Sequence, residues 1–123
     1  MNIRIHARGF DLTEGLQMHA IRRIRFALEW ARHDVRIVDV RLSDLNGPRG
    51  GIDKVCQIRI PLAGQPLIVV EDVDADLYAA IDRAAGRCER TLARRMGRHR
   101  EHREIRLHRD PDAFAGLSRG VAA

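Results

Sequence analysis

Ile3, Ile5 and Ala7 alternate with Asn2, Arg4, His6 and Arg8, the period-two pattern of a strand with one buried face. Gly9 ends that pattern, and Thr13 is a residue type that caps helix N-termini. From there Leu16, Ala20, Ile24, Ala27, Leu28 and Ala31 recur at helical spacing up to about residue 33. Alternation returns at Val38, Val40 and Leu42, which predicts a second strand over about 35–45. Asn46 to Gly51 is a loop by composition; Cys56, Ile58 and Ile60 mark a third strand. Pro61 to Pro66, with Gly64 inside, turns the chain into a fourth strand around Leu67–Glu71. Asp72, Asp74 and Asp76 then lead into a helix, where its dipole favours negative charge. That helix is expected from Asp76 to His99 and to fray after Gly97.

The order β-α-β-β-β-α predicts an α+β domain, with two helices packed on one face of a four-stranded sheet and the other face more open. The first strand, first helix and second strand form a crossover if those strands are parallel, and the remaining strands a meander. Residues 1–100 are expected to be one domain, and 101–123, with Pro111, glycines and mixed charge, a flexible tail.

Composition sharpens this picture in three places. At 123 residues, 45% hydrophobic and 32% charged, the chain has enough apolar content for one real core. Three Phe, one Tyr and one Trp are too few for base stacking to be the main binding device. The net charge of +5 points to a polyanionic partner, and its distribution says more. Residues 1–75 carry ten arginines and Lys54 against ten acids, whereas residues 76–109 carry ten arginines against five acids. Arginine pairs phosphate oxygens bidentately, but a G- and C-rich genome yields the same preference over lysine, so it carries no weight alone. Cys56 and Cys88 make neither a disulfide framework nor a metal-ligand pair. The charged start MNIRIHARGF does not read as a signal peptide, and apolar runs such as Leu67–Val70 are too short to span a bilayer. A cytoplasmic protein with no membrane partner is expected.

The basic excess is ordered. On the last helix Leu77, Ile81, Ala84, Ala85, Cys88 and Leu92 form a core-facing wedge. Arg83, Arg87, Arg90, Arg94 and Arg98 follow one another at steps of four, three, four and four, an unbroken stripe on another side, with Asp82 and Glu89 on the opposite flank. Like charges at these spacings repel by a few tenths of a kcal/mol per pair. Something outside the helix is therefore expected to neutralise them, and fifteen residues of helix rise about 22 Å, enough to face several phosphates. The plain alternative is a solvated helix face; the segregation of charge favours anion binding. On the first helix Arg22, Arg25 and Arg32 point away from the apolar positions, and Arg23 sits at their edge, where its stem can cover apolar surface. Phe26 and Trp30 are expected to flank the core, with a stacking platform as the lesser reading.

Asp76-Leu77-Tyr78-Ala79-Ala80-Ile81-Asp82, followed by Arg87, Glu89, Arg90, Leu92 and Arg94, resembles the second helix of the ribosome hibernation-promoting factor and ribosome-associated translation inhibitor family, once called sigma-54 modulation proteins. Ile58 to Gly64 resembles its third strand and turn, and Gly9 to Thr13 with Leu16 the approach to its first helix; the match covers about residues 1–98. The resemblance implies a double-stranded-RNA-binding-domain-like fold and a factor that occupies the mRNA and tRNA channel of the small ribosomal subunit, silencing translation in stressed or stationary cells. It implies contacts between rRNA phosphates and basic residues of both helices, which match Arg22, Arg23, Arg87, Arg90, Arg94 and Arg98 here. Arg25 and Arg83 fall where relatives are often not basic and rest on helical spacing alone. Met96 and Gly97 interrupt a helix end that is lysine-rich in relatives, and the chain is expected to be a short form, without the second domain of long members.

Two other classes compete. His99 and His102 lie three residues apart, but no third ligand or carboxylate constellation joins them, so an enzyme is not expected. His6, His19, His33 and His108 show no partner in the sequence, and Cys56 and Cys88 read as core. The basic face also suits a regulator of other RNA or DNA. The expected protein has no cofactor, no metal and no small-molecule substrate, and is monomeric off the ribosome.

Overall fold

A computed structural model describes residues 1–45 and 53–109, with side chains as far as residue 97. The loop expected at 46–51 therefore lies outside the described residues, as do 110–123 of the expected tail. The elements are β1 (Asn2–Arg8), α1 (Glu14–Leu28) continued by a 3-10 turn at Glu29–Ala31, β2 (Ile37–Asp44), β3 (Lys54–Leu62), β4 (Gln65–Asp74) and α2 (Leu77–Arg109). The strands lie in the order β1-β2-β3-β4; β1 and β2 are parallel and the other pairs antiparallel. A parallel pair cannot be closed by a hairpin, and α1 supplies the crossover. The result is the expected α+β fold.

Local chemistry places the element ends. The Thr13 hydroxyl accepts from the Leu16 N–H at 3.1 Å and starts α1. Asp76 starts α2: its carboxylate accepts from the Tyr78 N–H at 3.1 Å and its carbonyl from the Ala80 N–H at 3.0 Å. Gly9 leaves β1 at φ 89°, where a Cβ would stand 2.9 Å from the Asp44 carbonyl oxygen; only glycine fits this crossing without strain. Pro61 sits in β3 past Arg59, where pairing with β2 has ended, and beside the register shift between Ile60 and Leu62. Its missing N–H therefore costs no ladder hydrogen bond to β2.

One set of alternate positions carries the core. Val38, Val40, Leu42, Cys56, Ile58, Ile60, Ile68 and Val70 of the sheet are buried with Leu16, Ala20, Ile24, Ala27 and Leu28 of α1 and Leu77, Ala80, Ile81, Ala84, Ala85 and Cys88 of α2. Ile3, Ile5 and Ala7 are half-buried, because β1 is an edge strand. The chain divides into two compact units, Met1–Thr91 and Leu92–Ala123.

Two boundaries differ from expectation. β4 continues through Asp72 to Asp74, because the alternation Ile68, Val70, Asp72, Asp74 holds its period beyond the last apolar residue. Its last two acids therefore belong to the sheet and not to the helix start. α2 runs on past His99 to Arg109, a stretch of Arg, Glu and His with Ile105 and Leu107 and without proline or glycine, in which each added residue gains a backbone hydrogen bond. Among the described residues no helix is long and apolar enough to cross a membrane.

Candidate nucleic-acid interface

The two helices meet through a polar cluster. His19 Nε2 of α1 lies 2.8 Å from Asp82 Oδ1 of α2, and Arg23 Nε 3.7 Å from the same oxygen. The Tyr78 ring stands edge-on to His19, with centroids 4.8 Å apart. Nothing in the sequence marks His19 as partnered, because its carboxylate comes from 63 residues away.

The arginine stripe is not uniform. Arg83 pairs with Asp74, reaches Asp72 Oδ1 at 3.4 Å and donates to the Val73 carbonyl at 3.1 Å. Arg87 donates to the Glu71 carbonyl and lies 3.7 Å from Asp72 Oδ2. For these two residues the neutralising groups expected from outside the helix are carboxylates of the protein's own sheet. Their acids come from the end of β4, on the positions that continue its core-facing alternation. The Asp76 backbone N–H, donating to Asp74 at 2.9 Å, holds the Asp74 carboxyl below its ordinary value, and the Arg83 charge adds to the effect. Arg83 and Arg87 each remain about half exposed, at 53% and 52%, so the pairs contribute little to stability and do not consume either guanidinium.

On the other flank of α2 the setting changes. Gly86 exposes the helix surface, and a Cβ built there would lie 3.5 Å from Arg90 Nη1 and 3.6 Å from Arg23 Nη2. Two guanidinium heads, one from each helix, thus converge over a residue that has no side chain. Arg90 is exposed and has no hydrogen bond or ion pair among the described residues, and the same holds for Arg22 and Arg25 of α1. Arg23 is mostly covered, at 29% exposure, with its head shared with Asp82. Arg94 is exposed and belongs to the Leu92–Ala123 unit, and the side chain of Arg98 lies outside the described residues.

The remaining candidates divide cleanly. Phe26 and Trp30, expected beside the core, are 82% and 50% exposed; Ile24, Ala27, Leu28 and Ala31 fill that side without them. Cys56 and Cys88 are buried as expected, and burial pushes both thiols up to about 12, which makes them poor nucleophiles at neutral pH. Among the described residues no group of three or more His, Cys, Asp or Glu could hold a metal ion. The side chains of His99 and His102 lie outside the described residues.

The sequence profile of the sigma-54 modulation protein / S30EA ribosomal protein family matches residues 3–100. The chain belongs to this family. Among solved structures it is similar to the N-terminal domain of Protein Y from Thermus thermophilus, at 32% identity and a TM-score of 0.63, over 76% of this chain and 98% of that one. It also shares its fold with a ribosomal subunit interface protein from Coxiella burnetii, at 15% identity and a TM-score of 0.69, over 79% of this chain and 99% of that one. Among curated protein sequences none matches. Family membership agrees with the resemblance carried by the segment from Asp76 to Asp82, and both neighbours have the α+β architecture described above.

Proposed function

We propose that the protein is a non-enzymatic, cytoplasmic ribosome-binding factor that docks its helices on rRNA of the small subunit. There it occupies the mRNA and tRNA channel and inhibits translation in stressed or stationary cells. The observation that carries this reading is the set of exposed arginines on neighbouring helices, with the Arg23 and Arg90 heads meeting over Gly86. Membership of a family described as ribosomal, and similarity to Protein Y, support the ribosome as the source of the polyanion.

The mechanism is competitive occlusion by the folded protein. Guanidinium groups pair with phosphate oxygens and release counterions, so affinity comes from the RNA backbone and its shape more than from base reading. Arg22, Arg25 and Arg90 contact phosphate directly, and Arg23 joins them from its place beside Asp82. Arg83 and Arg87 extend the surface while held by β4; Arg94 and Arg98, which belong to the Leu92–Ala123 unit, are further phosphate contacts. The protein acts as a monomer off the ribosome and needs no cofactor, metal or small-molecule substrate.

The test is co-sedimentation of the full chain with small subunits at moderate salt. Changing Arg22, Arg25 and Arg90 together to Glu removes no side-chain hydrogen bond or ion pair among the described residues, so circular dichroism and the thermal transition stay as in the wild type while ribosome binding is lost. A folded triple variant that still pellets with small subunits rules out this surface. Binding of the wild type to any duplex as tightly as to the subunit assigns it to a general nucleic-acid module instead.

A further inference from the structure

α1 and the 3-10 turn that continues it each leave an aromatic side chain exposed, although α1 has a complete apolar face of its own. Phe26 is 82% exposed and Trp30, one turn later, 50%. The Trp30 indole N–H donates to the Ala27 carbonyl at 2.8 Å, so its polar edge is already satisfied and its π-system is what it has left to offer a partner. Rings this exposed gain far less from burial in the isolated protein than core side chains do.

The surroundings select the partner. Arg22, one turn before Phe26, and Arg25, next to it, are exposed and unpaired among the described residues. The acid of this surface, Glu29, is held by Arg32 at 2.9 Å. An apolar protein patch, including a second copy of this basic chain, would meet two uncompensated guanidinium groups beside the rings, a costly arrangement once desolvated. An unpaired RNA strand brings a flat π-face to each ring and a phosphate to each cation.

We propose that Phe26 and Trp30 form a stacking site for unpaired nucleobases of an RNA strand whose phosphates are taken by Arg22 and Arg25. The site rests on the RNA-binding reading above and adds a base contact that phosphate pairing does not provide. Stacking tolerates any base, so the site favours unpaired over paired RNA without selecting a sequence.

Trp30 is the chain's single tryptophan, so intrinsic fluorescence reports on the site directly. The full chain is titrated with a short oligoadenylate and with an abasic strand of the same length and charge. Oligoadenylate quenches Trp30 emission and binds tighter than the abasic strand. Phe26→Ala and Phe26→Leu each weaken oligoadenylate about tenfold, equivalent to 1.4 kcal/mol, leave abasic binding unchanged, and Phe26→Tyr restores the loss. The high exposure of Phe26 makes all three variants compatible with folding. Equal affinity for the two strands without quenching overturns the stacking site and leaves the phosphate reading standing. Wild-type affinity in Phe26→Leu overturns it too, by showing that apolarity and not the ring is used. Loss of a dimer by Phe26→Ala in sedimentation assigns the face to a second copy and also overturns it. Failure of the wild type to bind either strand or the small subunit overturns the RNA-binding reading, and the stacking site with it.

Discussion

Arg87 and Arg90 are one turn apart on the same helix, both exposed, yet they occupy different electrostatic settings. Arg87, with Arg83, faces the end of β4, where Asp72, Asp74 and the Glu71 carbonyl receive their guanidinium groups. Arg90 instead reaches over Gly86, where its Nη1 and the Nη2 of Arg23 from α1 would both lie within 3.6 Å of an added Cβ. One residue type in one helical stripe thus serves two ends. Near β4 the arginines are met by acids of the sheet, and near α1 Arg90 has no ion pair among the described residues while Arg23 shares Asp82. Counting basic residues overstates the binding surface; what matters is which acids the fold brings within reach.

The largest effect that tests this contrast comes from filling the space between the two heads. Gly86→Asp puts a carboxylate beside Arg23 and Arg90, and lowers affinity for small-subunit RNA about tenfold, or roughly 1.4 kcal/mol, at moderate salt. Gly86→Ala, whose Cβ makes only ordinary contacts, leaves affinity unchanged. Filter binding across a salt series separates the two. If the Asp variant binds as well as the Ala variant, the Gly86 flank is not electrostatically distinct.

A smaller effect is expected from the other flank. Asp72→Asn with Asp74→Asn releases Arg83 and Arg87, and the slope of log affinity against log salt steepens by up to about two, one for each phosphate gained. The thermal transition drops only slightly, because the arginine partners are half exposed. An unchanged slope would mean that the β4 acids do not compete with RNA, and the contrast between the flanks would fail.

The smallest effect is on acid stability. The Asp76 N–H, and after it Arg83, lower the Asp74 carboxyl from its ordinary 3.8. A depressed carboxylate contributes stability that is complete above that ordinary value and is lost as pH falls through the lower folded one. Asp74→Asn therefore shows a shallower loss of thermal stability below about pH 4 than the wild type, and the same stability profile near neutrality apart from a constant offset. Parallel acid limbs in the two proteins would remove Asp74 from the pairing.

The particular misreadings share one origin. Thr13, Gly9, the alternating strands and the wedge from Leu77 to Cys88 were legible because caps, turns and periodicity are local signals. The Asp72 and Asp74 acids looked like helix-start residues because the dipole rule and the strand alternation both fit them. The alternation won because β4 keeps pairing with β3 as far as Asp74. His19 looks solitary in the sequence because Asp82 is distant, and nothing local marks Gly86, whose neighbours come from α1 and the next turn of α2. Phe26 and Trp30 looked like core because aromatics usually are, but Ile24, Ala27, Leu28 and Ala31 already fill the side of α1 that the sheet can reach.

By itself the sequence determined the element order, the face each element buries and the existence of a basic stripe, because each follows from residue spacing along a single element. Only the tertiary structure decided which arginines are paired and which are free, since that depends on β4 and α1 flanking α2 on different sides. A helical wheel has no second element in it, so it places charges around an axis but cannot supply their partners. The stripe that reads as uniform along residues 83–94 is, once folded, held by carboxylates at Arg83 and Arg87 and open to a ligand at Arg90.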